Sequence, residues 1–315
     1  MVLKKFYFGF MFKHIKSLLN LSATPPSVVY PYPFLALLAF SLSGVFNIVS
    51  LIKAVILSFL FQAAANLWNH VNDVEEDKIS GKRNILTENE KIRKIVFIIS
   101  PLLYLMSFSL SVLWVVDKRG VIAFAAVAFV TWIYSDKFIL GRKIKRWKDH
   151  YITEVLTYLI AIPSFTSLLW TLFAPLSLKS TVFSIIMTFF GLSTTFLKDI
   201  KDITGDRLAG LKTLAVVFSP GYLLKIALSL LTSYYFLIFF LSIYGLLPQF
   251  CIMSVIASAG LIYTMWHFIS NGWSITLKSL RPIKVMVCSN LISLSLLIIA
   301  GIVQTLSLSV SVKLM

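Results

Sequence analysis

"NHVNDVEEDKISGKRN", residues 69–84, gathers four acids, three Lys/Arg residues and a histidine directly behind a run, 47–68, that is almost wholly apolar. A helix needs about twenty apolar residues to cross roughly 30 Å of hydrocarbon. The run meets that length, so the charge stands where a membrane-crossing helix leaves the bilayer. The rest of the chain repeats the pattern. Of 315 residues, 58% are hydrophobic and 13% charged, and the mean hydropathy is +0.87, far above what a water-soluble domain needs to fill its core. Apolar runs at about 28–46, 47–68, 92–116, 120–135, 152–173, 180–197, 214–246, 249–270 and 285–310 predict an all-α polytopic membrane protein with nine spans. The least distinct boundaries lie at Gly44 to Asn47 and at Ser219, Pro220 and Gly221, which leave eight or ten spans as alternatives.

The first run starts well inside the chain and carries no small-residue cleavage site, so it reads as a retained span and not a signal peptide. The chain reads as one transmembrane domain over 1–315. Its segment 1–20, with Lys4, Lys5, Lys13 and Lys16 among aromatic and aliphatic residues, is predicted to lie as a helix on the membrane surface. With nine spans, the N-terminus and the loops after spans two, four, six and eight share one side. Those segments hold nearly all the Lys and Arg, which makes that side cytoplasmic. The same asymmetry accounts for the net charge of +16 through topology and anionic lipid, without nucleic acid. Cys251 and Cys288 fall in or at the edge of spans and read as packing residues.

Acid is not explained by topology, because Asp and Glu contribute little to orientation. Asn69, Asp73 and Asp77 recur every four residues. If the second helix continues through them, each step drifts about 40°, and all three project from one face. Glu75 and Glu76 then point elsewhere, and Gln62 and Asn66 extend the polar stripe into the span. A second group, "KDIKDITGDRLAGLKTLAV" (198–216), places Asp199, Asp202 and Asp206 on one face directly after the sixth span, with Thr188, Gly191 and Thr195 continuing it inward. Both groups emerge on the same side and can face each other across one cavity. Facing carboxylates without a His or Cys partner suit Mg²⁺ bridging to phosphate oxygens. Lys82, Arg83, Lys198 and Arg207 are at hand for the charge that the metal leaves, and the pattern fits a diphosphate.

At these residues the chain resembles the UbiA superfamily of intramembrane prenyltransferases. The first motif of that family, Asn-x-x-x-Asp-x-x-x-Asp, is matched by Asn69, Asp73 and Asp77. The second, Asp-x-x-x-Asp, is matched by Asp202 and Asp206 with Asp199 upstream, and Gly210, Thr213 and Leu214 match its usual continuation. The resemblance covers essentially the whole chain. It implies nine helices around a central cavity, under a cytoplasmic cap made by the loops after helices two and six. It implies two Mg²⁺ held by Asn69, Asp73, Asp77, Asp199, Asp202 and Asp206, with Asp73 and Asp202 catalytic. The partners would be an allylic isoprenyl diphosphate and a lipophilic or aromatic acceptor such as a quinone precursor. Tyr134, in "YSDKFILGRKIKRW" (134–147), matches a Tyr-Ser pair that precedes diphosphate-holding bases. Lys137, Arg142 and Lys143 compete for that part, beside Lys82, Arg83 and Lys198. Two departures stand out: His70 replaces an Asp common after the first Asn, and the proline-rich basic segment of several subfamilies is reduced to "KRN" (82–84).

Lys53, Gln62 and Asn66 are candidates to orient the acceptor, as is Glu154, although Lys53 can equally snorkel and Glu154 can serve as a helix-entry acid. Within the enzyme class the competing acceptor is geranylgeranylglyceryl phosphate of archaeal ether-lipid synthesis. A secondary transporter is the reading from another class, but it should carry its acids near the bilayer midplane. A non-catalytic isoprenoid-binding protein would have no need of all the acids.

Overall fold

In the computed structural model, residues 14–22, 32–200, 203–276 and 279–313 are described, and among them there is no β-strand. The principal helices are α1 (Tyr32–Ser43), α2 (Ile48–Asn72), α3 (Glu90–Trp114), α4 (Arg119–Ser135), α5 (Tyr151–Trp170), α6 (Leu178–Asp199), α7 (Pro220–Ile243), α8 (Ser258–Ser270, entered through a 3₁₀ stretch, Gln249–Ala257) and α9 (Leu280–Lys313). Local chemistry sets their starts. The Asn47 side chain accepts from the Val49 and Ser50 amides at the head of α2, Asn89 accepts from Ile92 at the head of α3, and Ser219 caps α7 ahead of Pro220 at its first position. The Ser219 to Gly221 stretch therefore delays helix entry, as expected. Gly44, at φ +74°, turns the chain between α1 and α2.

Among the described residues seven helices are long and apolar enough to cross a membrane: α2, α3, α5, α6, α7, α8 with its 3₁₀ lead, and α9. The two shorter apolar helices, α1 and α4, stand where the first and fourth spans are expected. Successive helices from α2 to α9 pack on one another, and α9 returns to α1, which closes on α2. Small residues allow the tightest approaches. A Cβ added at Gly260 of α8 would lie 2.7 Å from the Ser289 Cβ of α9, and one at Gly301 of α9 would lie 2.7 Å from the Ser41 carbonyl oxygen of α1. The outer surface is apolar: Ile98, Leu102, Leu105, Ile122, Phe129, Ile262 and Trp266 are all exposed, as suits a lipid solvent. Both cysteines are free.

Two short segments shape the end of the bundle that carries the acids. After α2 the chain passes through a short helix, Val74–Ile79, and a capped turn, Ile85–Glu88; after α6 it forms another short helix, Ile203–Leu208. A backbone clasp joins the loop after α4 to the loop after α6: Tyr151 N donates to Lys212 O at 2.8 Å and Lys212 N to Asp149 O at 3.1 Å. Residues 1–13 of the expected surface helix lie outside the described residues. The described part, 14–22, is helical, and Leu18 and Leu21 pack against the core.

Candidate active site

The helical register carries through the first acidic motif although α2 formally ends at Asn72. Asp73 N donates to Asn69 O at 2.9 Å and Asp77 N to Asp73 O at 2.8 Å, so the three residues stay on one face. They line a cavity of about 310 Å³ together with Gln62, Asn66, His70 and Lys82 of the same segment, and with Lys198 in the last turn of α6 and Asp206 after it. Tyr134 and Ser135 at the end of α4 and Glu154, Thr157 and Tyr158 of α5 close the opposite wall. Asp202 lies outside the described residues, and of Asp199 only the backbone is described.

Two bases from the loop after α4 dominate the electrostatics. Arg146, its side chain 2% exposed, donates from Nη1 to Asp73 Oδ1 at 2.9 Å and from Nη2 to Glu76 Oε1 at 2.6 Å, and its Nε pairs with Asp149. Lys148 pairs with the other oxygen of Asp73. Burial alone would raise the Asp73 carboxyl, but the Lys148 ammonium and the Arg146 guanidinium outweigh it and hold that carboxyl below the usual carboxylate range. Glu76 is held low in the same way, against its partial burial, by Lys137 and Arg146. Asp77 behaves oppositely: burial, then the neighbouring Asp73 charge, push its carboxyl up. Its Oδ2 accepts from Asn84 Nδ2 at 3.1 Å. On the far side, Asp206 Oδ2 accepts from Thr213 Oγ1 at 2.8 Å.

The deeper wall is polar as well. Asn69 Oδ1 accepts from Ser135 Oγ at 3.0 Å, and the Tyr134 and Tyr158 hydroxyls lie 2.9 Å apart. Glu154, 3% exposed, accepts from the Leu214 amide at 2.9 Å and stands 3.5 Å from the Tyr134 hydroxyl. It thus ties the Thr213-Leu214 pair to α5.

Several expectations need correction. Glu76, expected to point elsewhere, lines the cavity and binds Arg146 and Lys137, because the short helix after Asp73 turns it toward the loop after α4. Of the loop bases proposed from sequence, Lys137 bonds the Glu76 carboxylate at 2.5 Å, while Arg142, Lys143 and Arg83 are exposed and absent from the cavity lining. The cause is Asp136, whose buried carboxylate accepts from the amides of Phe138, Ile139 and Leu140. That turn holds Arg142 and Lys143 outward, and the chain returns to the cavity at Lys148, while Arg146 is buried behind it on Asp73 and Glu76. Nothing in the basic run "GRKIKRWK" (141–148) distinguishes these two beforehand, since every base of such a loop also serves orientation. Lys53 does not reach the cavity: its ammonium sits 5.9 Å from the Trp114 ring centroid, about 24 Å along α2 from Asn69 at 1.5 Å per residue. Nor do Thr188, Gly191 and Thr195 line it. The two threonine hydroxyls donate to carbonyls one turn back on α6, and Gly191 admits the Ile162 side chain of α5.

Among the described residues no three His, Cys, Asp or Glu side chains converge as a metal-holding group. The donors that face the cavity are nonetheless hard oxygens, from Asp73, Asp77, Asp206 and Asn69, and Asp73 and Asp77 are like charges close enough to raise one carboxyl. That set fits a divalent cation that keeps water and shares substrate oxygens better than it fits an all-protein cage.

A model of the UbiA prenyltransferase family matches residues 30–279. An Archaeoglobus fulgidus protein described as uncharacterized is 36% identical over 281 residues, covering 88% of this chain and 96% of its own. Among solved structures, a digeranylgeranylglyceryl phosphate synthase superposes with a TM-score of 0.67 at 16% identity, covering 92% of this chain and 99% of that one. A UbiA homologue from Archaeoglobus fulgidus bound to GPP and Mg²⁺ gives 0.59 at 14% identity, covering 93% and 97%. An apo UbiA homologue from Aeropyrum pernix K1 gives 0.62 at 14% identity, covering 91% and 97%. At such identities these superpositions establish the fold.

Proposed function

The chain belongs to the UbiA prenyltransferase family, and from that premise we propose that it moves an isoprenyl chain from an allylic diphosphate to a lipophilic acceptor inside the cavity between Asp73 and Asp206. It is an integral, multi-pass membrane prenyltransferase. One observation carries the reading: the acidic segments that follow α2 and α6, far apart in sequence, line one cavity with Lys82, Lys148 and Lys198 among them. Nine spans under a cap of the loops after α2 and α6 accord with the ring of helices, and the concentration of Lys and Arg at the acidic end supports a cytoplasmic site. Carboxylates at helix ends, beside bases, give a transporter no support.

In the proposed reaction the allylic C–O bond breaks with its electron pair going to the diphosphate. The allylic carbon then bonds to the acceptor, which gives up a proton. Asn69, Asp73, Asp77, Asp199, Asp202 and Asp206 would hold divalent metal, as the homologue crystallised with GPP and Mg²⁺ encourages, and we assign two ions. When bound, Mg²⁺ would supply Lewis-acid neutralisation of the charge that gathers on the departing diphosphate. Lys148, Lys198 and Lys82 would bind diphosphate oxygens, and Arg146 would position Asp73 from behind. Tyr134 and Tyr158 would orient the acceptor and the Glu154 carboxylate would receive its proton, with Gln62 and Asn66 also lining the cavity.

The phenol-lined wall supports an aromatic, quinone-precursor acceptor. The cluster of lysines supports a second acceptor, geranylgeranylglyceryl phosphate, whose own phosphate needs cations; the superposing synthase is named for the product of that class. Membranes containing the protein, supplied with Mg²⁺, radiolabelled geranylgeranyl diphosphate and each acceptor in turn, should yield one prenylated product. EDTA should abolish it and Mg²⁺ restore it. Asp73→Asn and Asp202→Asn variants that still fold should lose transfer; unchanged transfer in either would refute the site.

A further inference from the structure

The segment that carries Asp73 has a second face, turned away from the cavity. There a groove of about 620 Å³ runs between the end of α2, the start of α3 and the loop after α4. Its floor is apolar, made by Val71, Val74, Phe97, Ile98 and Phe138. Its rim carries Arg93, Lys94 and Lys137 against one acid, Glu75. Lys137 is committed to Glu76, and Lys94 bonds Glu90 at 2.8 Å on an exposed surface. Arg93 is half-buried, and among the described residues its guanidinium makes no hydrogen bond or ion pair.

Three features converge on the occupant. Arg93 sits in the first turn of α3, a 25-residue helix, where a cation meets the positive end of the helix dipole, and the one carboxylate of that turn, Glu90, is bonded to Lys94 and only within longer electrostatic reach of Arg93. Immediately along the same helix Ile95, Ile98, Ile99 and Leu102 are exposed, so Arg93 marks the level at which α3 enters hydrocarbon. A groove with a cationic rim at headgroup level and an apolar floor below it complements a molecule with one phosphate and acyl chains. We propose that it binds an anionic phospholipid of the bilayer, with the phosphate on Arg93 beside Lys94 and Lys137 and the chains on Phe97, Ile98 and Phe138. The site is separate from the reaction cavity. The Asn72 side chain, which accepts from Lys137 N at 2.8 Å, forms the wall between them. The loop that the lipid would touch through Lys137 and Phe138 is the one that delivers Arg146 and Lys148.

Native mass spectrometry of the full-length protein in detergent, with equal palmitoyl-oleoyl phosphatidylglycerol and phosphatidylcholine added, tests this. The wild type should retain one phosphatidylglycerol in preference to phosphatidylcholine. Arg93→Gln should lower that occupancy roughly tenfold, the usual worth of a charge-assisted hydrogen-bond pair. Arg93→Lys should fall between them, because the planar fork is lost while the charge stays. Lys91→Gln, exposed on the same turn but outside the groove, should match the wild type. No preference in the wild type, unaltered retention in Arg93→Gln, or equal loss in Lys91→Gln would overturn the proposal. Complete displacement by 10 mM inorganic phosphate would also overturn it, because the acyl floor would then contribute nothing.

Discussion

Replacing Arg146 by methionine keeps much of the side-chain volume and removes a guanidinium that serves three carboxylates at once. Breaking a buried ion pair by deleting one partner costs about 3–5 kcal/mol, because the other charge is left buried and unpaired. Here the geometry puts the cost at the low end. Asp73 keeps Lys148 and Glu76 keeps Lys137. The Asp149 side chain is 32% exposed, so water can replace its lost partner. We therefore expect a loss of about 3 kcal/mol, roughly a 150-fold shift in the folding equilibrium. Arg142→Met, on the exposed part of the same loop, should stay within about 0.5 kcal/mol of the wild type. Reversible unfolding by SDS in mixed micelles, followed by far-UV circular dichroism, measures both. Arg146→Met within about 0.5 kcal/mol of the wild type, or Arg142→Met costing as much, would refute the reasoning that the Arg146 network holds this end of the bundle together.

Three further outcomes follow from the geometry. Because burial and the Asp73 charge favour the protonated form of Asp77, the apparent affinity for Mg²⁺ should weaken as pH falls, starting above the pH at which an ordinary carboxylate takes a proton. Calorimetric titration of Asp77→Asn should show that part of the pH dependence gone. Asn84→Ala removes the side chain that accepts from the Leu86 and Thr87 amides and donates to Asp77. It should cost about 1–2 kcal/mol in the same unfolding assay and weaken Mg²⁺ binding, and an effect on neither would count against that link. Gly260→Ala should destabilise by about 1–3 kcal/mol, because its new methyl would lie 2.7 Å from the Ser289 Cβ; a neutral effect would mean that α8 and α9 separate freely.

The membrane class and the positions of the helices were legible in the chain itself, since an apolar run of about twenty residues is a local property that needs no partner. So was the first acidic stripe: spacing by four places Asn69, Asp73 and Asp77 on one helical face whatever surrounds the helix. The same local reasoning failed for Thr188 and Thr195, which satisfy their hydroxyls on their own helix, and for Lys53, whose distance from the acids is a matter of depth and not of helical phase.

What tertiary structure alone decided was which charges meet. Six bases between residues 137 and 148 look alike in a loop that must be basic for orientation. Only the turn built on the Asp136 carboxylate, together with the backbone clasp between Tyr151 and Lys212, turns Arg142 and Lys143 to water and Arg146 and Lys148 onto Asp73. Glu76 and Glu154 likewise acquire their places from chain segments distant in sequence, Arg146 for one and Leu214 for the other. Pairing among buried charges depends on distances of a few ångströms between such segments. A linear pattern carries the phase of a helix but not those distances.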